Sequence, residues 1–537
     1  MAKSWLMFVI LLSTTTVVSA QQVVPQHQIL NPWYSNAISK MESKPHFQTQ
    51  KKAKNIILFV GDGMGIGTVT AARIFEGQNK GFDGEENVLS FEEFPFSGLS
   101  KTYTVDAQTP DSAGTMTAIM TGVKTDSGVV GVDQDVVRGD CRTVAANELV
   151  TALELAEIAG KSTGIVTTTR ITHATPAATY AKSADRDWED ISDMPKDAIE
   201  AGCEDIALQL IDFEKNLKQR FPNANNINGI EVVMGGGRRH FLPNDERFNS
   251  ADAISKIEGD RTDGRNLIKQ WQQRYPSGLY VEDIEGFNAI NPAQTTHLFA
   301  LFNESHMRYE ADRKNDIAGE PSLTEMTKKA LEILSRNPNG YFLMVEAGRI
   351  DHAHHAGNAF NALNETVELS NAVTMAVENT DPDQTLILVT ADHSHVFTLA
   401  GYPKRGNPIL GKVVNVGEAQ PAEAEDGLPY TTIGYMNGRG FHDFQDQTDA
   451  DLVYQADIAE GRTDISNSDT LNSGYHQEAL VPLESETHSA EDVAIYGLGV
   501  GAETVLGVNE QNVIFHIMNQ AANLEQHALQ KLTLPKN

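Results

Sequence analysis

A short apolar run, Tyr341–Phe342–Leu343–Met344–Val345, stops at Glu346 and passes into Gly348–Arg349–Ile350–Asp351–His352–Ala353–His354–His355. Such a run, bounded by polar residues, is the pattern of a strand buried on both faces. The residues after it open a helical pattern, so Asp351 and His355, four apart, share one helix face. A carboxylate and an imidazole so placed can hold a divalent metal, and Glu346, at the strand's end, can hold a second. One histidine beside one aspartate is usually a solvated polar turn. Three histidines within four residues, all just past an apolar strand, favour a metal site instead.

The theme recurs. Asn55–Val60 is a second apolar run, and it ends at Gly61–Asp62–Gly63–Met64–Gly65. The glycines do not have the dinucleotide-binding spacing, and Asp62 in the turn would repel a phosphate unless a metal intervened. Thr385–Thr390 is a third run, ending in Ala391–Asp392–His393–Ser394–His395. Ser162–Thr169 leads to Arg170, His173 and Thr175, whose hydroxyl is the hard oxygen magnesium accepts. Glu486–Thr487–His488 precedes a strand at Val493–Tyr496. Apolar strands with ligands at their carboxyl ends predict an α/β fold: a large, mostly parallel central sheet with helices on both faces, its site at one edge.

Thr109–Thr115 reads as a helix start with Ser112 at its positive end, which suits an anion. From that stretch alone, capping by Asp111 or Ser112 is the better reading. Arg186 stands between Asp185 and Asp187. It is a surface ion pair unless it faces the metal cluster, where a guanidinium grips phosphate at two points. The apolar stripe in Pro321–Arg336 predicts a helix, and the helix opened by Asp351 is expected to run to about Val377. Residues 244–292 read as a polar excursion or surface helix. Residues 400–475, rich in Gly, Asp, Asn and Gln, read as an insertion away from the core.

The 537 residues carry a net charge of −31, which argues against nucleic acid or an anionic membrane as a partner. An anionic substrate would need cations to reverse the field locally. Asp62, Glu346, Asp351 and Asp392 around three divalent metals, with Arg186 added, leave such a pocket positive. Met1–Ala20 has the basic start, apolar stretch and small-residue end of a secretory signal, so export and a mature start near Gln21 are expected. The C-terminus, ending Leu534–Pro535–Lys536–Asn537, lacks the apolar tail of a lipid-anchor signal. Cys141 and Cys203 can pair in an oxidising compartment, closing a loop worth roughly 4 kcal/mol, or remain two buried thiols.

Taken together, Phe59–Gly65, Pro110–Asp111–Ser112, Gly348–His352, Thr390–His395 and Glu486–His488 resemble the motifs of alkaline phosphatases, over about residues 30–520 and most closely in the animal-like branch that also occurs in bacteria. The resemblance implies hydrolysis of phosphate monoesters in two in-line steps, through a phosphoserine on Ser112, at a site of two zinc ions and one magnesium. It implies that Asp351, His355 and His488 hold one zinc, and Asp62, Asp392 and His393 the other. Asp62, Thr175 and Glu346 would hold magnesium, with His173 beside it, and Arg186 would clamp the phosphate. It further implies a Cys141–Cys203 disulfide and a homodimer, with an N-terminal arm over residues 21–54 embracing the partner. The core would span 55–399 and 476–525, and a crown-like insert 400–475. Asn303 stands where the family tends to have Glu, which weighs against an additional calcium site. A phosphodiesterase or sulfatase of the same ligand frame, and a metal or phosphate binder without turnover, are the competing readings.

Overall fold

The structure, a computed structural model, describes residues 22–44 and 51–533. The expected signal segment and the last four residues lie outside these.

Ten strands form the central sheet: β1 (Asn55–Gly61), β2 (Phe96–Lys101), β3 (Ser162–Arg170), β4 (Val232–Gly236), β5 (Leu279–Val281), β6 (Leu298–Leu301), β7 (Tyr341–Ala347), β8 (Thr385–Ala391), β9 (Val493–Gly499) and β10 (Gly507–Glu510). Their order across the sheet is β10-β2-β9-β8-β1-β7-β3-β4-β6-β5. The run from β8 to β5 is parallel throughout, while β9 lies antiparallel between β8 and β2.

The unbroken apolar runs follow from burial on both faces. Successive strand side chains point to opposite sides. Accordingly Ile56, Leu58, Phe342, Met344, Leu386 and Leu388 enter one core cluster, while Ile57, Phe59, Leu343, Val345, Ile387 and Val389 enter another. Fully burying each such side chain contributes roughly 1.5–3 kcal/mol. Helices cover the two faces. The first cluster takes in α2 (Ser112–Thr121) and α5 (Val513–Ala522), and the second takes in α4 (Ala359–Glu378).

Three sequence expectations change. The helix from Asp351 is two helices: α3 (Arg349–His355) ends at Gly357, whose φ of 70° suits glycine, and Asn358 caps α4 through the N–H of Asn361. Residues 244–292 are more than an excursion, because they supply β5 at the sheet's edge. The insert 400–475 is not remote from the core: Ile409, Leu410, Ile433 and Tyr435 pack in the second cluster. The N-terminal helix expected from the sequence is present as α1 (Pro32–Ser43), with Tyr34 edge-on to His516 of α5 at 4.5 Å.

Cys141 and Cys203 form a disulfide, and Cys141 lies in a small separate core with Val129, Val132, Trp188 and Met194. No helix among the described residues is long and apolar enough to cross a membrane.

Candidate active site

The parallel register builds the site. Val60 of β1 aligns with Glu346 of β7 and with Thr390 of β8. Asp62 and Asp392 follow their strands by one residue, so three carboxylates leave the sheet side by side. Helix α3, starting two residues after β7, adds Asp351 on its first turn. A two-residue ladder pairs His488 with His395 and brings in the last segment.

The donors fall into overlapping groups: Asp351, His393, His395 and His488; His355, His395 and Glu486; Asp62, Asp392 and His393; and Asp62, His173 and Glu346. His488 Nε2 is 3.3 Å from Asp351 Oδ1 and 3.1 Å from His355 Nε2, and His355 Nε2 is 3.4 Å from the same carboxylate oxygen. His393 Nε2 is 3.3 Å from both Asp62 Oδ1 and Asp392 Oδ2. The Thr175 hydroxyl donates to Asp62 Oδ2 at 3.4 Å. Thr167 and Thr169 donate to Glu346.

Among the described residues, no lysine or arginine pairs with these four carboxylates; the ion-pair partners of Asp62, Asp351 and Asp392 are imidazoles. Burial and the neighbouring Asp392, Asp351 and Glu346 push the Asp62 carboxyl well above its ordinary range. Burial pushes Glu346 up to about 7 and also raises Asp392. Asp351 goes the other way: burial would raise it, but His355, His395 and His488 outweigh burial and hold it low. Asp62 Oδ1, Glu346 Oε1 and His393 Nδ1 are buried without hydrogen-bond partners among the described residues. Buried like charges with unused lone pairs are what divalent cations satisfy, so the donor set fits metal ions.

The capping reading of the 111–112 stretch holds. Asp111 caps α2, accepting from the N–H of Gly114 at 3.1 Å, and Ser112 Oγ sits 3.1 Å from His393 Nε2. The Arg186 Nη1 donates to Asp111 Oδ2 at 3.0 Å, and Nη2 lies 3.2 Å from His173 Nε2. Burial would raise Asp111, but Arg186 and two backbone N–H groups hold its carboxyl below the usual range. Arg186 therefore faces the cluster, while Asp185 and Asp187 pair with Arg138 instead.

Sequence reading missed part of the support. His395 Nε2 is 2.8 Å from Asp351 Oδ1, and its Nδ1 is 2.5 Å from Glu486 Oε2. Thr115 donates to Asp392 Oδ2 at 3.2 Å. The clue for His395 is spacing: two residues after His393, it points to the same side of an extended segment. Two of the three adjacent histidines that drew attention do not join the donor groups. His354 is buried against Thr68 and Tyr435, and the His352 ring packs on His306 and His173.

The alkaline phosphatase family profile matches residues 53–524. An alkaline phosphatase of Gadus morhua is 43% identical over 94% of this chain and 98% of its own. A tissue-nonspecific alkaline phosphatase isozyme of Gallus gallus is 45% identical over 88% of this chain and 85% of its own. Among solved structures, the alkaline phosphatase of Thermus thermophilus superposes with a TM-score of 0.61 at 22% identity, covering 95% of this chain and 99% of its own. That of the Antarctic bacterium TAB5 gives 0.55 at 20% identity, over 88% of this chain and 99% of its own. With a family match across most of its length and relatives above 40% identity over most of theirs, the chain belongs to the alkaline phosphatase family, which are metal-dependent phosphoric monoester hydrolases.

Proposed function

We propose that this chain hydrolyses phosphate monoesters through a phosphoserine on Ser112. The observation that carries the reading is the placement of the Ser112 hydroxyl against His393, one residue from the carboxylate that tethers Arg186. Asp351, His355 and His488 are assigned to one zinc, Asp62, Asp392 and His393 to a second, and Asp62, Thr175 and Glu346 to magnesium, with His173 beside it. When bound, these ions lower the pKa of coordinated hydroxyl groups and stabilise charge on the attacking and leaving oxygens.

The chain's own residues then divide the work. Arg186, steered by Asp111, presents its guanidinium to two phosphate oxygens. Ser112 Oγ, fixed at the first turn of α2, attacks phosphorus in line as its proton departs. The bond to the leaving oxygen breaks, and that oxygen leaves as the alcohol, taking from solvent a proton that matches the one Ser112 gave up. Water then displaces Ser112 from phosphorus in a second in-line step, releasing inorganic phosphate. Two inversions give net retention. The N-terminus of α2 adds a favourable dipole for the anion.

Export, with removal of residues 1–20, belongs to the same reading. So does a homodimer, which would cover the apolar side chains Met436, Leu480 and Val481 exposed on the small sheet that residues 433–438 form with 479–482. The test is release of p-nitrophenol from p-nitrophenyl phosphate at alkaline pH, compared with the diester on the same preparation. Activity should vanish with chelator and return with zinc plus magnesium. Labelled phosphate should be trapped on the wild type and not on Ser112→Ala. Full activity in Ser112→Ala would overturn the covalent mechanism, and faster diester cleavage would overturn the substrate class.

A further inference from the structure

A separate donor set lies on the segment that carries Arg186. Four residues beyond Arg186, Asp190 is wholly buried, and His240, 7% exposed, reaches it from the turn after β4. His240 Nδ1 is 2.6 Å from Asp190 Oδ2. On the other side of the ring, His240 Nε2 is buried with no hydrogen-bond partner and faces Glu189 Oε2 at 3.3 Å. Asp193 folds back, its Oδ2 accepting from the N–H of Asp190 at 3.1 Å. Ligand atoms of Asp190, Asp193 and His240 all lie within 4.8 Å of one another.

The ring between two carboxylates poses a problem in charge. A neutral imidazole has one N–H and one lone pair. With the proton on Nδ1, the lone pair on Nε2 faces Glu189. With the proton on Nε2, the lone pair on Nδ1 faces Asp190. Either tautomer sets a lone pair against a carboxylate unless a second positive charge is present. Glu189 already has its cation in Arg170, which donates to it at 2.8 Å, and it also accepts from the Thr172 hydroxyl. Among the described residues, Asp190 and Asp193 have no such partner beyond His240.

We propose that His240 Nδ1, Asp190 and Asp193 form a divalent-cation site of the zinc or manganese type, separate from the central cluster. An ion between Nδ1 and the two aspartates fixes the Nε2–H tautomer. That N–H then points at Glu189, the arrangement in which a carboxylate orients a metal-bound histidine through its far nitrogen. One imidazole with two carboxylates suits zinc or manganese better than calcium. Asp193 is exposed, so the site opens to solvent, and water can complete the shell. The site shares no donor with the central groups, and it closes the segment 186–193 onto the β4 exit turn.

The test is the metal content of the full-length protein, stripped with chelator and titrated separately with zinc and with manganese, bound metal being measured by mass spectrometry. Asp193→Asn, at an exposed position, and His240→Gln should each bind about one equivalent fewer per chain than wild type in at least one titration. Turnover with the central metals restored should be retained. Equal stoichiometry for wild type and Asp193→Asn with both metals would overturn the site. Loss of turnover in step with loss of metal in Asp193→Asn would assign the missing equivalent to the central cluster, and would overturn the proposal equally.

Discussion

The link Asp351–His395–Glu486 offers a quantitative test of how the site is held. All three residues are at most 3% exposed. The 2.8 Å contact from His395 is the shortest that an imidazole makes to Asp351, since His355 and His488 stand at 3.4 and 3.3 Å. His395→Asn removes that contact and leaves two buried carboxylates without the ring between them. Partners that orient metal-binding carboxylates and imidazoles typically alter metal affinity by roughly 10–100-fold when lost, or about 1.4–2.7 kcal/mol. The closest link from the Glu486 carboxylate to Asp351 runs through His395, its Oε2 standing farther, at 3.7 Å, from His355 Nδ1, and its Oε1 accepts from the N–H of Val396 and so fixes the local backbone. Glu486→Gln should therefore give a smaller loss in the same direction. The double variant should lose little more than His395→Asn alone, because one chain is being cut twice. Chelator competition on the holoenzyme gives the zinc dissociation constants, and circular dichroism confirms that each variant is folded. Unchanged zinc affinity in His395→Asn, or fully additive losses in the double variant, would refute the chain as an orienting device.

Two further outcomes follow. Arg186→Lys keeps the charge but loses the planar fork, so inhibition by inorganic phosphate should weaken by about tenfold or more, one charge-assisted hydrogen bond being worth about 1.5–3 kcal/mol; an unchanged inhibition constant would place Arg186 outside the phosphate site. Burial pushes the Glu365 carboxyl up to about 8 from an ordinary 4.5. The folded state therefore binds the extra proton between those values, and stability falls as pH rises through that window, by up to roughly 1.4 kcal/mol per pH unit. Glu365→Gln should flatten this slope and be more stable than wild type at pH about 9, but not at pH about 4.5, by denaturant midpoints; parallel pH profiles would contradict it.

What the sequence discloses is what strand periodicity and local spacing encode. Asn55–Val60, Tyr341–Val345 and Thr385–Thr390 are legible as central strands because burial on both faces leaves no polar positions, and Asp62, Glu346 and Asp392 follow directly. Phe96–Lys101 was not legible, because its Phe-Ser-Gly-Leu-Ser-Lys pattern reflects pairing with β9 and β10, partners some 400 residues away in the chain. The break at Gly357 was hidden because helical periodicity resumes immediately after it. His395 and Glu486 were adjacent to recognised ligands, but nothing local says that one would bridge the other to Asp351. The Asp190–His240 contact spans 50 positions and leaves no local signal at all.

The central site also explains how so acidic a chain can be built to meet phosphate. Parallel pairing sets Asp62, Glu346 and Asp392 at the ends of three neighbouring strands, where burial and mutual repulsion raise each carboxyl. That repulsion opposes folding, and it is tolerated because the strands beneath are anchored in two cores, so the carboxylates cannot move apart without disrupting apolar packing. The consequence is a preorganised negative cavity whose strain is relieved by cations. On the proposed reading, electrostatic attraction of phosphate depends on the ions and on Arg186 rather than on the protein's overall field, which is repulsive. A single neutralised carboxylate, as in Glu346→Gln, should thus relieve repulsion in the metal-free fold while weakening the site for which that repulsion was assembled. Stability without metal and affinity for it are opposed at the same residue.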